Sequence, residues 1–179
     1  MKSTGSIFLV RLLLALQPLP AAGMLTDGAP LVTRLGDPVS VPAEIVGHAM
    51  YVNVMINDHG PFRFLLDTGC SFNLVSPGVA EAVGAVAGDQ DDDYVAARNG
   101  LGDTTEVEPV ALESIDLGGV RFEDVPAAVS DSFAKLSAIE GRRIDGALGF
   151  PLFADLFLGL DFPNQRVLLG RQWPVKAPA

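Results

Sequence analysis

The sequence predicts an all-β domain carrying one or two short helices, and three observations carry that expectation. Between Ala49 and Asn57 residues alternate with a period of two, Val52, Val54 and Ile56 on one face and Tyr51, Asn53, Met55 and Asn57 on the other. That is the pattern of a strand with one face in a core. Apolar runs are then punctuated by turn signals such as Asn57-Asp58-His59-Gly60 and Gly118-Gly119, the second of which is a hairpin signal. Finally, 19 glycines and 13 prolines stand in a chain of 179 residues that is 49% hydrophobic. This composition supports a real core and favours many short strands over long helices.

Taken in order, residues 1–23 read as an export signal. Lys2 and Arg11 are positive, Leu12 to Leu19 is mostly apolar, and Pro20-Ala21-Ala22-Gly23 offers small residues for cleavage. The apolar run is too short for a membrane span. An uncleaved anchor, or a true start at Met24, are the alternatives. Residues 24–46 form an N-terminal extension in which Leu31-Val32-Thr33 and Val39-Ser40-Val41 read as candidate edge strands. The strand from Ala49 turns at Asn57–Gly60 and returns through Pro61 to Leu66, ending at Asp67. His48 and His59 sit near turns; either is a candidate base, and surface placement is the expectation.

Leu74-Val75 is a short strand. Ser76-Pro77 supplies a helix cap and a first-turn proline, Val79 to Val83 is helical, and Gly84 or Gly88 ends it. The acidic run Asp89, Asp91, Asp92, Asp93 fails as a calcium loop, with Tyr94 where that loop needs Gly and Gly100 where it needs a bidentate acid. A solvated loop fits better. Tyr94 to Thr105 reads as two strands joined by a Gly-rich tip. Thr105 to Leu117 and Val120 to Val129 form a hairpin through Gly118-Gly119. Asp131 to Ile139 is a short helix or a loop. Arg142-Arg143 balance nearby acids or are exposed. Ala147-Leu148-Gly149 reads as a buried strand, Pro151 to Phe157 as a short helix, and Leu158–Asp161 and Arg166–Leu169 as the last hairpin.

Several function classes are excluded or disfavoured by composition. The net charge is −10 and no basic cluster occurs, which argues against nucleic acid or anionic lipid as partner. One cysteine, Cys70, precludes an intrachain disulfide. Two histidines and one cysteine leave no Cys/His zinc site, so neither metal nor cofactor is expected. No nucleophile elbow, Walker loop or His-Glu-x-x-His motif is present.

The stretch with chemistry in it is Phe62 to Val75. An apolar run delivers one carboxylate, Asp67, into a Thr68-Gly69 turn, and an acid at the end of a buried strand costs free energy unless it is hydrogen-bonded or shared. Phe64-Leu65-Leu66-Asp67-Thr68-Gly69 resembles the active-site turn of aspartic proteases. Ile144-Asp145-Gly146-Ala147-Leu148-Gly149-Phe150 is similar to the Asp-Gly-apolar-Leu-Gly segment of retropepsin-like single-domain proteases, and Leu160 to Leu169 to the closing hairpin of bacterial members. The three occur in the family's order across residues 48–170.

The resemblance implies a closed or partly open β-barrel over residues 47–172, with 173–179 as a tail. It implies catalysis by Asp67 with Thr68 and Gly69 as its turn, and a flap whose tip Gly100, Leu101 and Gly102 would contact substrate. An ordinary surface hairpin is the equal alternative for that tip. In the family Asp145 belongs to a structural segment, and the position of Cys70 usually carries Ser, Thr or Ala. Carboxylate peptide hydrolysis needs two acids. One Asp-Thr-Gly per chain therefore implies a homodimer pairing Asp67 with its symmetry mate. The expected protein is an exported aspartic endopeptidase, periplasmic or secreted and free of the membrane after signal cleavage, acting on peptides or proteins. The alternative is a non-catalytic module of the cell envelope that keeps the turn and binds a peptide or partner. An anchored structural envelope protein is a third reading if residues 1–23 are retained.

Overall fold

The computed structural model describes residues 17–18, 30–34, 38–87, 95–98 and 104–172. Its strands, in chain order, are β1 (Gln17–Pro18), β2 (Leu31–Arg34), β3 (Val39–Val46), β4 (Ala49–Ile56), β5 (His59–Asp67), β6 (Asn73–Val75), β7 (Val86–Ala87), β8 (Val95–Arg98), β9 (Thr104–Leu117), β10 (Val120–Val129), β11 (Gly146–Gly149), β12 (Phe157–Asp161) and β13 (Arg166–Gly170). Two helices interrupt them, α1 (Pro77–Ala82) and α2 (Ser132–Glu140). The all-β expectation holds.

Six strands close into a barrel in the order β9-β10-β6-β11-β5-β4, with Met55 and Ile56 of β4 returning to Asp116 and Ile115 of β9. The β6–β10 and β5–β11 pairs are parallel, the other four antiparallel. Closure removes the unpaired edges that an open sheet of these strands would expose. β4 divides its second edge: residues 49–52 pair with β3 and residues 55–56 with β9. β3 in turn pairs with β13, and β13 with β12.

This placement bears on both candidate edge strands. Val39-Ser40-Val41 pairs with β13 alone, as the first part of a longer strand, β3, whose residues 43–46 pair with β4. Local composition in that segment, rich in turn formers, does not reveal that Val41 is buried against the barrel end. β2 does lie at an edge, pairing with β10 alone.

Two apolar clusters fill the structure. The larger occupies the barrel interior and includes Val52, Val54, Ile56, Phe62, Phe64, Leu112, Phe122 and Leu148. The smaller lies on the other face of the same strands and joins Tyr51, Leu65, Phe72, Leu74, Ile144 and Ala147 to Phe133 of α2. β5 therefore sends Phe62 and Phe64 inward and Leu65 outward, and both faces are covered. Burial of one such side chain contributes about 1.5–3 kcal/mol. The period-two reading of β4 is incomplete for the same reason. Tyr51, assigned to the opposite face from Val52, is 1% exposed, because α2 covers that face and Glu140 accepts the hydrogen bond of its hydroxyl.

Local signals explain most element ends. Ser76 caps α1 by accepting the Val79 amide, with Pro77 at the first helical position, and Gly84 follows the helix in the left-handed region at φ 61°. Residues 131–139, open between helix and loop, are helical in α2, which ends at Gly141. The helix expected over Pro151–Phe157 is only a 3-10 turn, Phe150–Phe153. There Leu152 and Phe153 point into the core, and the chain is extended again by Phe157. The hairpins turning at Asn57–Asp58, Gly118–Gly119 and Phe162–Gln165 lie where expected. The acidic run Asp89–Asp93 lies outside the described residues.

Candidate active site

Asp67 is the last residue of β5. Its strand neighbour in β11 is Gly149, one of four parallel pairs running Gly146–Phe64, Ala147–Leu65, Leu148–Leu66 and Gly149–Asp67. The doubly covered strand brings the carboxyl to the rim half-buried, and Thr68 and Gly69 beyond it are exposed. The Gly69 amide donates to Asp67 Oδ1 at 3.0 Å, and the Cys70 amide donates to the Asp67 carbonyl at 3.0 Å. Burial pushes the Asp67 carboxyl above the ordinary carboxylate range, and the Gly69 and Cys70 amides oppose it only in part. The Thr68 hydroxyl has no hydrogen-bond partner among the described residues.

Both glycines of Asp145-Gly146-Ala147-Leu148-Gly149 are dictated by close approach. A Cβ on Gly146 would lie 2.3 Å from the Leu74 carbonyl oxygen and 2.4 Å from the Phe64 ring. On Gly149 it would lie 2.1 Å from the Phe72 carbonyl oxygen and 2.8 Å from that of Cys70. β11 thus presses directly on the loop that follows Asp67. The Phe150 amide then donates to the Cys70 carbonyl at 2.9 Å, clasping the turn from the far side.

A residue that sequence reasoning missed completes the clasp. Asn73 is 1% exposed; its Oδ1 accepts the Gly149 amide at 3.0 Å and its Nδ2 donates to the Pro126 carbonyl at 3.1 Å. One side chain thereby ties β6 to β10 and β11 at the level of Asp67. The available signal was an amide within the apolar run Phe72-Asn73-Leu74-Val75, since a buried amide must find partners.

Asp145 is placed as a brace and not beside Asp67. It is 4% exposed. Its Oδ2 accepts the Arg63 amide at 2.9 Å, its Oδ1 accepts Arg143 Nε, its own amide donates to the Arg63 carbonyl at 2.8 Å, and its carbonyl accepts the Ser76 amide at 2.8 Å. Four strand steps separate it from Gly149, about 13 Å at the usual strand rise. Around it, Arg63 lies 3.7 Å over the Tyr51 ring and bonds Glu44 at 3.0 Å, and Arg142 also pairs with Glu44. Asp145→Ala leaves the buried Arg63 amide without its acceptor, and we expect a loss of about 3 kcal/mol, read from urea unfolding. A loss within experimental error would mean that Asp145 braces nothing.

Cys70 is 1% exposed, and its thiol is pushed up to about 11, first by burial and then by the Asp67 charge, against the Phe72 amide. A neutral, enclosed thiol is neither nucleophile nor metal ligand at neutral pH. A thiol reagent at pH 8 should leave native Cys70 unmodified and react fully once denaturant is added. Rapid reaction in the native state would contradict this burial.

His48 and His59 are exposed at turns. Among the described residues no three His, Cys, Asp or Glu side chains gather as a metal set, and no helix is long and apolar enough to cross a membrane. β8 and β9 form the two expected arms of a hairpin, pairing Val95–Val107 through Arg98–Thr104. Its tip, with Gly100, Leu101 and Gly102, lies outside the described residues.

The family model described as "Aspartyl protease" matches residues 52–152, the span from β4 through the 3-10 turn. No curated protein matches the chain. Among solved structures, the chain is similar to a retropepsin-like aspartic protease from Rickettsia conorii, with 18% identity, a TM-score of 0.48, and coverage of 74% of this chain and 87% of that one. It is also similar to the aspartic proteinase from Irpex lacteus, with 15% identity, a TM-score of 0.36, and coverage of 81% of this chain and 49% of that one. The chain thus spans about half the length of the Irpex enzyme.

Proposed function

The chain belongs to the aspartyl protease family, and we propose that it is an aspartic endopeptidase in which Asp67 and Asp67 of a second copy activate a water molecule. The observation that carries this reading is the Asp67 turn. A barrel strand covered on both faces ends in a half-buried carboxyl that burial pushes toward its neutral form, and Thr68 and Gly69 beyond it face outward. The carboxyl at the 145 position is engaged elsewhere, which supports a second acid supplied by another chain.

The chemistry follows from the pair. Two carboxyls in contact cannot both ionise, so they share one proton and titrate as a unit. The ionised member takes a proton from water as the water oxygen adds to the peptide carbonyl. The protonated member donates to the carbonyl oxygen. Proton return to the amide nitrogen then releases the two fragments. Thr68 and Gly69 would hold the two turns together across the two-fold axis. The substrate would be an extended peptide paired through its backbone between the floor of the site and the β8–β9 hairpin, with apolar side chains flanking the cleaved bond. The charge, apolar run and small residues of the first 23 positions support export to the periplasm or medium.

Cleavage of a mixed peptide library by wild type and Asp67→Asn, from acid to neutral pH, tests the reading. Cleavage lost in the variant supports the dyad. No cleavage by folded wild type at concentrations high enough to dimerise favours a peptide-binding module, and equal cleavage by both removes Asp67 from the mechanism.

A further inference from the structure

The strand ladder that carries Asp67 leaves one large apolar side chain in the open beside it. Phe150 is 56% exposed, the most exposed of the large hydrophobic residues described. Isolated apolar side chains on a surface are ordinary, and Ile139, Leu160 and Phe162 are also exposed. Phe150 differs from these in its attachment. It follows directly on Gly149, the strand partner of Asp67, and its amide is bonded at 2.9 Å to the carbonyl of Cys70, within the same turn. Gly149 in turn packs against the Phe72 and Cys70 carbonyls too closely for any side chain. Phe150 therefore emerges from backbone held to the turn, one position beyond the Gly149–Asp67 pair, and Thr68 and Gly69, the residues that follow Asp67, are exposed as well.

We infer that Phe150 is an anchor of the interface with a second copy of this chain, flanking the Asp67 turns on either side of the two-fold axis. The inference rests on the dyad reading. If two copies bring their Asp67 carboxyls into contact, the surface adjoining each turn is buried by the partner. That surface is polar at Thr68 and Gly69 and apolar at Phe150, the arrangement of an aromatic anchor beside a hydrogen-bonded centre that gives interfaces most of their affinity. Because a two-fold contact is isologous, each dimer contains Phe150 twice, and one substitution removes two anchors. Because the backbone at Phe150 is already held, docking has to order the side chain alone. An apolar side chain of the bound peptide is the competing occupant. A second copy is favoured because the single carboxyl at this turn makes the site incomplete without one.

Sedimentation velocity over a dilution series of the full chain, without substrate, compares wild type, Phe150→Ser and Phe150→Leu, with peptide cleavage measured across the same concentrations. Matching circular dichroism spectra confirm that the variants fold; the thermal midpoint is compared where all are monomeric, since dimerisation itself raises it. The dimer dissociation constant is expected to rise about 100-fold in Phe150→Ser and less in Phe150→Leu. Activity should fall in parallel and recover as protein concentration rises. A wild-type dimer that Phe150→Ser leaves unchanged overturns this inference and spares the dyad. Unchanged dimerisation with a raised KM assigns Phe150 to the peptide and also overturns it. A wild type that is monomeric throughout overturns the dyad reading and this inference together.

Discussion

Asp67→Asn is expected to abolish peptide cleavage while making the fold more stable at neutral pH. An amide can neither take a proton from water nor share one with its partner, so kcat should fall by about 10³-fold or more. The stability effect has the opposite sign to that of an ordinary substitution. Burial raises the folded-state pKa of Asp67 above its unfolded value. The group's contribution to stability is therefore fully present below the unfolded pKa, about 3.9, and is lost as pH rises through the folded pKa. Asparagine keeps the side-chain oxygen that accepts the Gly69 amide and carries no charge to bury. Wild type and variant should unfold at the same temperature near pH 3, and the variant should unfold higher near pH 7. Thermal unfolding of both across that range decides it. A variant less stable than wild type at pH 7 would show that the turn favours the charged carboxylate, and a site poised to hold a shared proton would be the wrong description. On the proposed dyad, fold and function oppose each other at one residue, as expected where a catalytic group is kept against its own desolvation cost.

The Asp67 turn was legible from the residues because its determinants are local. An apolar run, an acid, a Thr-Gly turn and a second apolar run lie within fourteen consecutive positions, and the Ser76-Pro77 cap follows at once. Asn73 was not legible because its partners, the Pro126 carbonyl and the Gly149 amide, lie 53 and 76 residues away. Nothing beside Asn73 in the sequence says that the amide is satisfied. Tyr51 fails for a related reason. Periodicity reports which face of a strand is apolar, and cannot show that a helix some 80 residues later covers the other face and receives the tyrosine hydroxyl. β3 shows the same limit at the level of topology: the residues mark Val39-Ser40-Val41 as a candidate strand, and only the ladder shows that the strand runs on to Val46 and passes from β13 to β4.

Gly149→Ala should be the most damaging single-methyl change among the described glycines, and Gly78→Ala, the same chemical change, should be mildly stabilising. At Gly149 the added carbon meets backbone atoms on three counts: the Phe72 oxygen at 2.1 Å, the Phe72 carbonyl carbon at 2.6 Å and the Cys70 oxygen at 2.8 Å. Backbone cannot rotate aside as a side chain can. β11 must withdraw from the loop after Asp67, which breaks the Gly149 amide bond to Asn73 and the Phe150 amide bond to Cys70. Overpacking with the loss of two buried hydrogen bonds should cost about 4 kcal/mol, and cleavage should be lost with the turn. Gly78 stands in the first turn of α1 with nothing within 4 Å of the added carbon. Alanine there restricts the unfolded chain and favours the helix, contributing up to about 1 kcal/mol. Urea unfolding of the two variants beside wild type measures both. If Gly149→Ala is tolerated, β11 does not press on the Asp67 loop, and the pairing that holds the carboxyl at the barrel rim has to be redrawn.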